Sequence, residues 1–309
     1  MPHVLVLGGG LTGLSAALEL QRLNLPYTLI EVKPRLGGAI ASELHEGFVF
    51  DGGPFLLERY ADWPWLAKLG LSDSVRHFAP YRDGEMVYFE RGTQQLMDAL
   101  VAQLTGIIFT RMAASSVGSL DHGFGVCLEN GVLKTADAVI AAIPARYAGH
   151  LLYDLAPEAA LLLDDFRYDP VARVSLGYRR SDLPAALPEA DGPHLKFLQA
   201  FTMQSRVPNG HVMIRAGVRV QPSEGESDWI KAVRAIIGPA APVAAWARYW
   251  PEADPLTSRL PEFSDTLRAI RAALPARVAL CGSDYGARRL DEQVAAGHHA
   301  ARQIAADLA

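Results

Sequence analysis

The sequence predicts an α/β protein in which a parallel-sheet unit is interrupted by a smaller α+β unit built on an antiparallel sheet. Three observations predict it. The short apolar run "HVLVL" passes at once into "GGGLTG" and then into "LSAALELQRLNL", where Leu14, Leu18 and neighbouring alanines fall on one helical face. Runs of the same continuous apolar kind return much later, in "TADAVIAAIPA" and "VALCGSDYG". Between these, the periodicity changes to two: Ala172, Val174, Leu176 and Tyr178 alternate with polar positions, as do Val212, Ile214, Ala216 and Val218.

The first run is a strand, the glycine stretch a turn, and "YTLIE" the next strand, ending in Glu31. Gly8, Gly10 and Gly13 have the G-x-G-x-x-G spacing: a tight turn, a close backbone approach to a pyrophosphate, and close packing of helix on sheet. The helix start presents free N–H groups to an anion, and Glu31, 18 residues past Gly13, can accept hydrogen bonds from a ribose. The unit binds a dinucleotide. A nicotinamide dehydrogenase would usually continue with further strand–helix units, whereas Glu31 is followed by "VKPRLGGAI" and an excursion to "FVFDGGP".

Composition narrows the class. A chain of 309 residues that is half hydrophobic and a fifth charged folds around a sizeable core. A net charge of −5 gives no basic surface for nucleic acid. The two cysteines, Cys127 and Cys281, are far apart, which offers neither a disulfide framework nor a metal cluster and fits a reducing compartment. The first residues lack the pattern of a signal peptide, and no apolar run approaches the ~18–20 residues that span a bilayer. The expectation is a cytoplasmic protein without a transmembrane segment, acting on a small molecule; its oligomeric state is open.

The stretch "GGGLTGLSAALEL…LIEVKPRLGGAI…FVFDGGP" resembles the N-terminal FAD-binding signature of the flavin-containing amine oxidase superfamily, which includes amine oxidases, protoporphyrinogen oxidases, carotenoid desaturases and smaller renalase-like flavoproteins. Its E-x-x-x-R-x-G-G pattern is met by Glu31, Arg35, Gly37 and Gly38, while Ala39 stands where many members carry Arg or Lys. The resemblance implies FAD as cofactor, held by Gly8, Gly10, Leu11, Thr12, Gly13, Glu31, Val32, Lys33, Arg35, Gly37, Gly38 and Ala39. Gly52, Gly53 and Pro54 would leave room beside the ribityl and ring. Val117 would back the adenine, Ala142 lies in the turn after the returning strand, and Gly282, Ser283, Asp284, Gln293 and Val294 would close the site from the last strand and helix. The start of that helix would place positive potential near the reduced ring.

The remaining elements follow in order. "FERGTQQLMDALVAQL" is a helix from near Thr93 with Leu96, Leu100 and Leu104 on one face. "KFLQAFTMQS" is a third strand between the two alternating ones, "SDWIKAVRAII" is a helix stopped at Gly238-Pro239, "VAAWARYW" is a strand, and Ser264 to Leu274 a helix. A discontinuous Rossmann-type FAD-binding domain is expected over residues 1–58, 86–148 and 268–309, with an inserted smaller α+β substrate domain over 59–85 and 149–267. Only about 60 residues separate Pro54 from Val117, a renalase-like size, although "RLGGAIASELHEGFVFDGGP" and "DGPHLKFLQAFTMQSRVPNGHVMIRAGV" look locally closer to protoporphyrinogen oxidases.

A flavin oxidoreductase needs an oriented donor, a dry pocket and positive potential. No nucleophile triad or metal spacing stands out. Lys196 is either a lysine holding water near the flavin or a solvated strand-edge residue; Arg215 meets an anionic substrate or lies at the surface. Trp246 and Trp250 share one face of their strand and Tyr249 the other, so at most one set lines the pocket. His298-His299 reads as structural or surface, and Cys281 as a buried strand-end thiol. The leading reading is an FAD-dependent oxidoreductase that moves a hydride from a small amine, nitrogen heterocycle or related donor to flavin, reoxidised by O2 or another acceptor. Protoporphyrinogen-oxidase-like and NAD(P)H-oxidising renalase-like activities stay open, as does a catalytically idle FAD-binding partner protein.

Overall fold

The structure, a computed structural model, describes residues 1–188, 194–253 and 255–309. Residues 191–193, at the head of one stretch quoted above, and Asp254 lie outside them. Five parallel strands form the first sheet in the order Val278–Leu280, Ala138–Ala141, Val4–Leu7, Tyr27–Ile30, Ile107–Phe109. The three central strands are buried at every position, which is why they read as unbroken apolar runs. Both faces are covered. Val4, Val6 and Leu29 pack under the helices Leu11–Arg22, Gln94–Gln103 and Leu290–Leu308, while Leu5, Leu7 and Ile30 face the helices Ala145–Leu152, Pro157–Asp164 and Phe263–Ala273.

An antiparallel meander, Ala114–Ser119, Phe124–Leu128 and Leu133–Ala136, lies against that second face. The sequence reading ends a domain segment at 148; Leu151, Leu152, Ala159 and Leu163, just beyond, share the core beneath the parallel sheet.

A four-stranded antiparallel sheet runs Leu195–Phe201, His211–Arg219, Val171–Arg179, Ala244–Trp250. Alternation sorts its residues cleanly. Ala172, Val174, Leu176, Tyr178, Val212, Ile214, Ala216 and Val218 pack under the helix Glu226–Ile237, whose Trp229, Val233 and Ile237 are buried. That helix ends at Gly238 with φ +130°, a backbone angle only glycine adopts without strain. The opposite face, with Met213 and Trp246, packs on Phe48, Phe50 and Phe55.

Residues 59–85 hold two features without a sequence forecast: a further antiparallel sheet, Leu57–Arg59, Gly84–Phe89 and Val75–Tyr81, and the short helix Trp65–Lys68. Its outer strand is half exposed and irregular between His77 and Ala79, so it lacks the alternation that betrays a strand. Among the described residues, no helix is long and apolar enough to cross a membrane.

Candidate cofactor and substrate site

The carboxyl ends of the central strands meet at the glycine turn. Gly8 has φ +102°, and a Cβ there would lie 2.4 Å from the Ala142 carbonyl oxygen; a Cβ on Gly13 would lie 1.9 Å from that of Gly8. Helix, turn and two strands therefore close on one another only because these positions are glycine. Gly10 faces open space, with nothing nearer to a Cβ than Gly38 Cα at 3.8 Å. The helix it begins has no side-chain cap and no acid in its first turn, so its N–H groups, with buried Leu11 and Thr12 around them, suit an anion.

Glu31 is 5 % exposed and accepts from the N–H groups of Gly9 and Lys33, each at 2.7 Å, which fixes its carboxylate beside the turn. Val32 next to it is 59 % exposed, an apolar surface that a flat base would cover. Turn, helix start, acid and apolar shelf together fit the adenosine and pyrophosphate of FAD. Val117 is buried in the core cluster under the sheet.

The second loop is held from inside. Arg35 donates to the carbonyls of Leu36 (3.1 Å), Gly38 (2.9 Å) and Ile40 (2.8 Å), and the Gly37 N–H donates to the Gly9 carbonyl at 2.7 Å. Arg35 thus ties the Gly37-Gly38 loop to itself and the loop to the phosphate turn.

Gly52 and Gly53 behave differently from the expectation. A Cβ on Gly52 would meet Arg248 Cδ at 2.4 Å and Trp246 Cη2 at 2.8 Å; on Gly53 it would meet the Ala39 carbonyl oxygen at 2.0 Å. On that side the room is filled by protein. The loop carbonyls are each bonded to the four-stranded sheet: Asp51 and Gly53 accept from Arg215 at 2.7 and 3.1 Å, and Gly52 accepts from Trp250 Nε1 at 2.5 Å. Pro54 offers its carbonyl to Thr93 Oγ1 at 3.0 Å.

Beneath the loop lies an ion pair that motif reading missed. The Asp51 carboxylate accepts from Arg206 at 2.5 Å, from the Thr93 N–H at 3.0 Å and from Ser42 Oγ. Arg206, fully buried, spends its other N–H groups on the carbonyls of Phe89 (2.9 Å) and Val49 (3.1 Å). Nothing local around Arg206 in the sequence marks it; its partner Asp51 lay inside a quoted motif.

Of the substrate-side candidates, Arg215 is buried rather than at the surface, and burial, with Arg173 and Arg206 nearby, holds it below the ordinary guanidinium range. Lys196 pairs with Asp169 at 2.6 Å and is neither solvated nor loose. Trp246 and Trp250 lie on the face turned to the Asp51–Gly53 carbonyls, and Tyr249, 44 % exposed, lies tilted against Trp229 with ring centroids 5.8 Å apart on the other side. Arg248 lies over the rings of Trp246 (5.7 Å) and Trp250 (4.9 Å), with Lys33 5.1 Å from the latter. Among the described residues Arg248 makes no hydrogen bond or ion pair; burial lowers its pKa and the charge of Glu43 opposes that.

The C-terminal turn closes the site. Gly282 is open toward Thr12 Oγ1 at 3.9 Å, and Ser283 Oγ donates to Asp284 at 3.2 Å. Asp284, 2 % exposed, accepts from the Ala145 N–H at 2.9 Å and from the Tyr168 hydroxyl at 2.5 Å; burial raises its pKa. The following helix does not present a bare positive end. Asp291 and Glu292 sit in its first turn, and Glu292 accepts from the N–H groups of Arg288 and Arg289 at 2.9 and 2.8 Å. Gln293 is half-buried and Val294 faces the core. Cys281 is buried, its thiol pushed up to about 12, and Gly297 packs the helix onto the first one.

Fold and site define a dinucleotide-binding α/β protein with a capping antiparallel sheet. Residues 6–69 match the NAD(P)-binding Rossmann-like domain and residues 55–305 the Flavin containing amine oxidoreductase family; the chain belongs to that family, and FAD is its cofactor. A stretch of 77 residues is 44 % identical to coproporphyrinogen III oxidase of Bacillus subtilis, covering 22 % of this chain and 16 % of that protein. One of 55 residues is 38 % identical to 4,4'-diaponeurosporene oxygenase of Staphylococcus aureus, covering 18 % and 11 %. The aligned stretches thus span less than a fifth of those relatives. Among solved structures, a putative protoporphyrinogen oxidase from Exiguobacterium sp. 255-15 superposes with a TM-score of 0.82 at 16 % identity over 99 % of both chains. Reduced UDP-galactopyranose mutase does so at 0.74 and 16 %, over 100 % of this chain and 94 % of that one. At these identities the likeness is one of fold.

Proposed function

We propose that the chain oxidises a carboxylate-bearing, conjugated nitrogen-containing donor of the porphyrinogen-like kind, in preference to the small amine that the sequence alone put first. The observation that supports this is Arg248: a half-buried guanidinium laid along two indole rings, with no acceptor of its own among the described residues. Its strand pairs Arg248 with Arg173, and Arg215 lies on the same face. An ammonium substrate would be repelled by this face, whereas a carboxylate would complete a charge-assisted pair and a flat conjugated body would lie on the indoles.

Bound FAD would supply the hydride-accepting chemistry, with O2 or another acceptor to reoxidise it. The chain's own residues do the rest. Gly10 to Thr12 and Glu31 would hold the nucleotide, Arg215 and Trp250 fix the Asp51–Gly53 loop, and Arg248 would orient the donor by its carboxylate. The coproporphyrinogen III oxidase of Bacillus subtilis, similar over 77 residues, is named for a substrate of this class.

The purified protein should carry a flavin spectrum, with bands near roughly 370 and 450 nm set by the cofactor itself. Anaerobic mixing with coproporphyrinogen III, protoporphyrinogen, putrescine and NADH then separates the readings. Bleaching by a porphyrinogen supports the proposal; bleaching by putrescine or NADH alone moves it to an amine or a dihydronicotinamide, and bleaching by none points to an idle flavoprotein.

A further inference from the structure

The first helix has a second working end. Its residues Glu19 and Arg22, roughly 14–18 Å along the axis from Gly10 at ~1.5 Å per residue, line a cavity of about 400 Å³ together with Trp65, Lys68, His298 and Arg302. We propose that this cavity binds a phosphate monoester, outside the cofactor site and independently of the oxidation assigned above.

Three features carry it. First, the charge is one-sided: Arg22, Lys68 and Arg302 face a single acid, Glu19, on a chain whose overall charge is −5. Glu19 is 5 % exposed and engages Arg302 at 2.7 Å and Arg22 at 3.6 Å, which orients both guanidiniums without neutralising the group. Second, the Lys68 ammonium and the His298 ring make no hydrogen bond or ion pair among the described residues, so both remain for an incoming oxyanion. Third, one wall is rigid and apolar: Trp65 stacks on Trp63 with ring centroids 5.6 Å apart and planes 21° from parallel. The size is that of a small-ligand site, and the lining is the usual one for a phosphate joined to an apolar or planar body.

His298 reports occupancy. Burial lowers its pKa; Arg22 and Lys68 from the two facing helices and Arg302 from its own add to that, and only Glu19 opposes it. A bound phosphate must reverse the direction, and by linkage each unit of rise means about tenfold tighter binding to the protonated form.

The test uses FAD-loaded protein, so the pyrophosphate turn is already filled. Inorganic phosphate, AMP, and vesicles of phosphatidylcholine with or without phosphatidic acid are titrated while Trp65 fluorescence and the His298 ring proton resonances are followed. The expected result is saturable binding of phosphate or AMP, with the His298 pKa rising by about one unit, and loss of at least tenfold in affinity in Lys68→Gln/Arg302→Gln. Binding of phosphatidic acid vesicles alone, lost in the same variant, keeps the phosphate site and assigns it to a lipid headgroup. No saturable change at His298 from any probe, or binding unaltered in the variant, overturns the proposal. Flavin content of the variant, expected to match the parent, separates lost binding from lost folding, any lower melting temperature reporting the lost Glu19–Arg302 pair, and Lys68→Arg alone should bind like the parent.

Discussion

Arg206 and Asp51, 155 residues apart, form an ion pair at 2.5 Å in which neither side chain is more than 1 % exposed. The pair fastens the strand Phe48–Asp51, the Gly84–Phe89 strand and the segment before His211–Arg219 into one block under the Gly52-Gly53 loop. Removing one partner of a buried pair leaves an uncompensated charge and costs about 3–5 kcal/mol. Arg206→Met should therefore lower the melting temperature by roughly 6–20 °C at ~2–4 °C per kcal/mol or give insoluble protein, and Arg206→Met/Asp51→Leu should recover part of the loss. An unchanged melt for the single variant would show that the pair is idle.

The two close approaches of the first helix predict a sharp contrast between glycines. Gly13→Ala and Gly297→Ala place a methyl 1.9 Å from the Gly8 carbonyl oxygen and 2.4 Å from that of Thr12, and both should yield flavin-free or unfolded protein. Gly118→Ala, which meets nothing within 4 Å, should change stability by less than about 0.5 kcal/mol. Flavin absorbance per polypeptide measures all three.

This contrast also marks what the sequence made legible. Gly8, Gly10, Gly13 and Glu31 sit within one strand–helix–strand unit, where spacing along the chain translates directly into geometry, and the alternation of 171–179 and 211–219 named the buried face of the second sheet. Arg206, Tyr168 and the sheet of Leu57–Arg59 stayed hidden because their meaning depends on partners far away: Asp51, Asp284 and Gly84–Phe89. The Gly52-Gly53 pair was visible, but what fills its Cβ side was not: Arg248, Trp246 and the Ala39 carbonyl come from elements distant in sequence.

Arg248 gives a kinetic prediction. With a carboxylate-bearing donor, Arg248→Gln should raise KM by roughly 10–100-fold, the worth of about 1.5–3 kcal/mol for a charged hydrogen bond, with kcat little changed. The methyl ester of the same donor should be indifferent to the substitution. Equal losses on acid and ester would assign Arg248 to packing alone.

Asp284 gives a pH prediction. Burial raises its folded-state pKa above the unfolded value, so the folded protein holds that proton more tightly, and stability from this group is lost as pH rises from about 4, the ordinary carboxyl range, through the raised value. In cofactor-depleted protein, Asp284→Asn keeps the neutral form at every pH. Its stability relative to the parent should thus improve from pH 4 toward neutrality; a pH-independent difference would refute the assignment.

The two thiols should part company under an alkylating reagent. Cys127 is half-buried, whereas Cys281 is buried with its thiol pushed up to about 12. Mass spectrometry of native protein should find Cys127 modified alone, with Cys281 reacting only after unfolding.

Gly297 lets the helix Leu290–Leu308 rest on Leu11–Arg22, and that contact has a history as well as a geometry. A ribosome makes the helix that covers its neighbour some 280 residues after the phosphate turn. At ~5–20 residues per second this leaves roughly 15–60 s in which an apolar helix face waits uncovered. During that interval the phosphate turn exists without the helix that braces it, and retention of the cofactor is expected to wait for that last element.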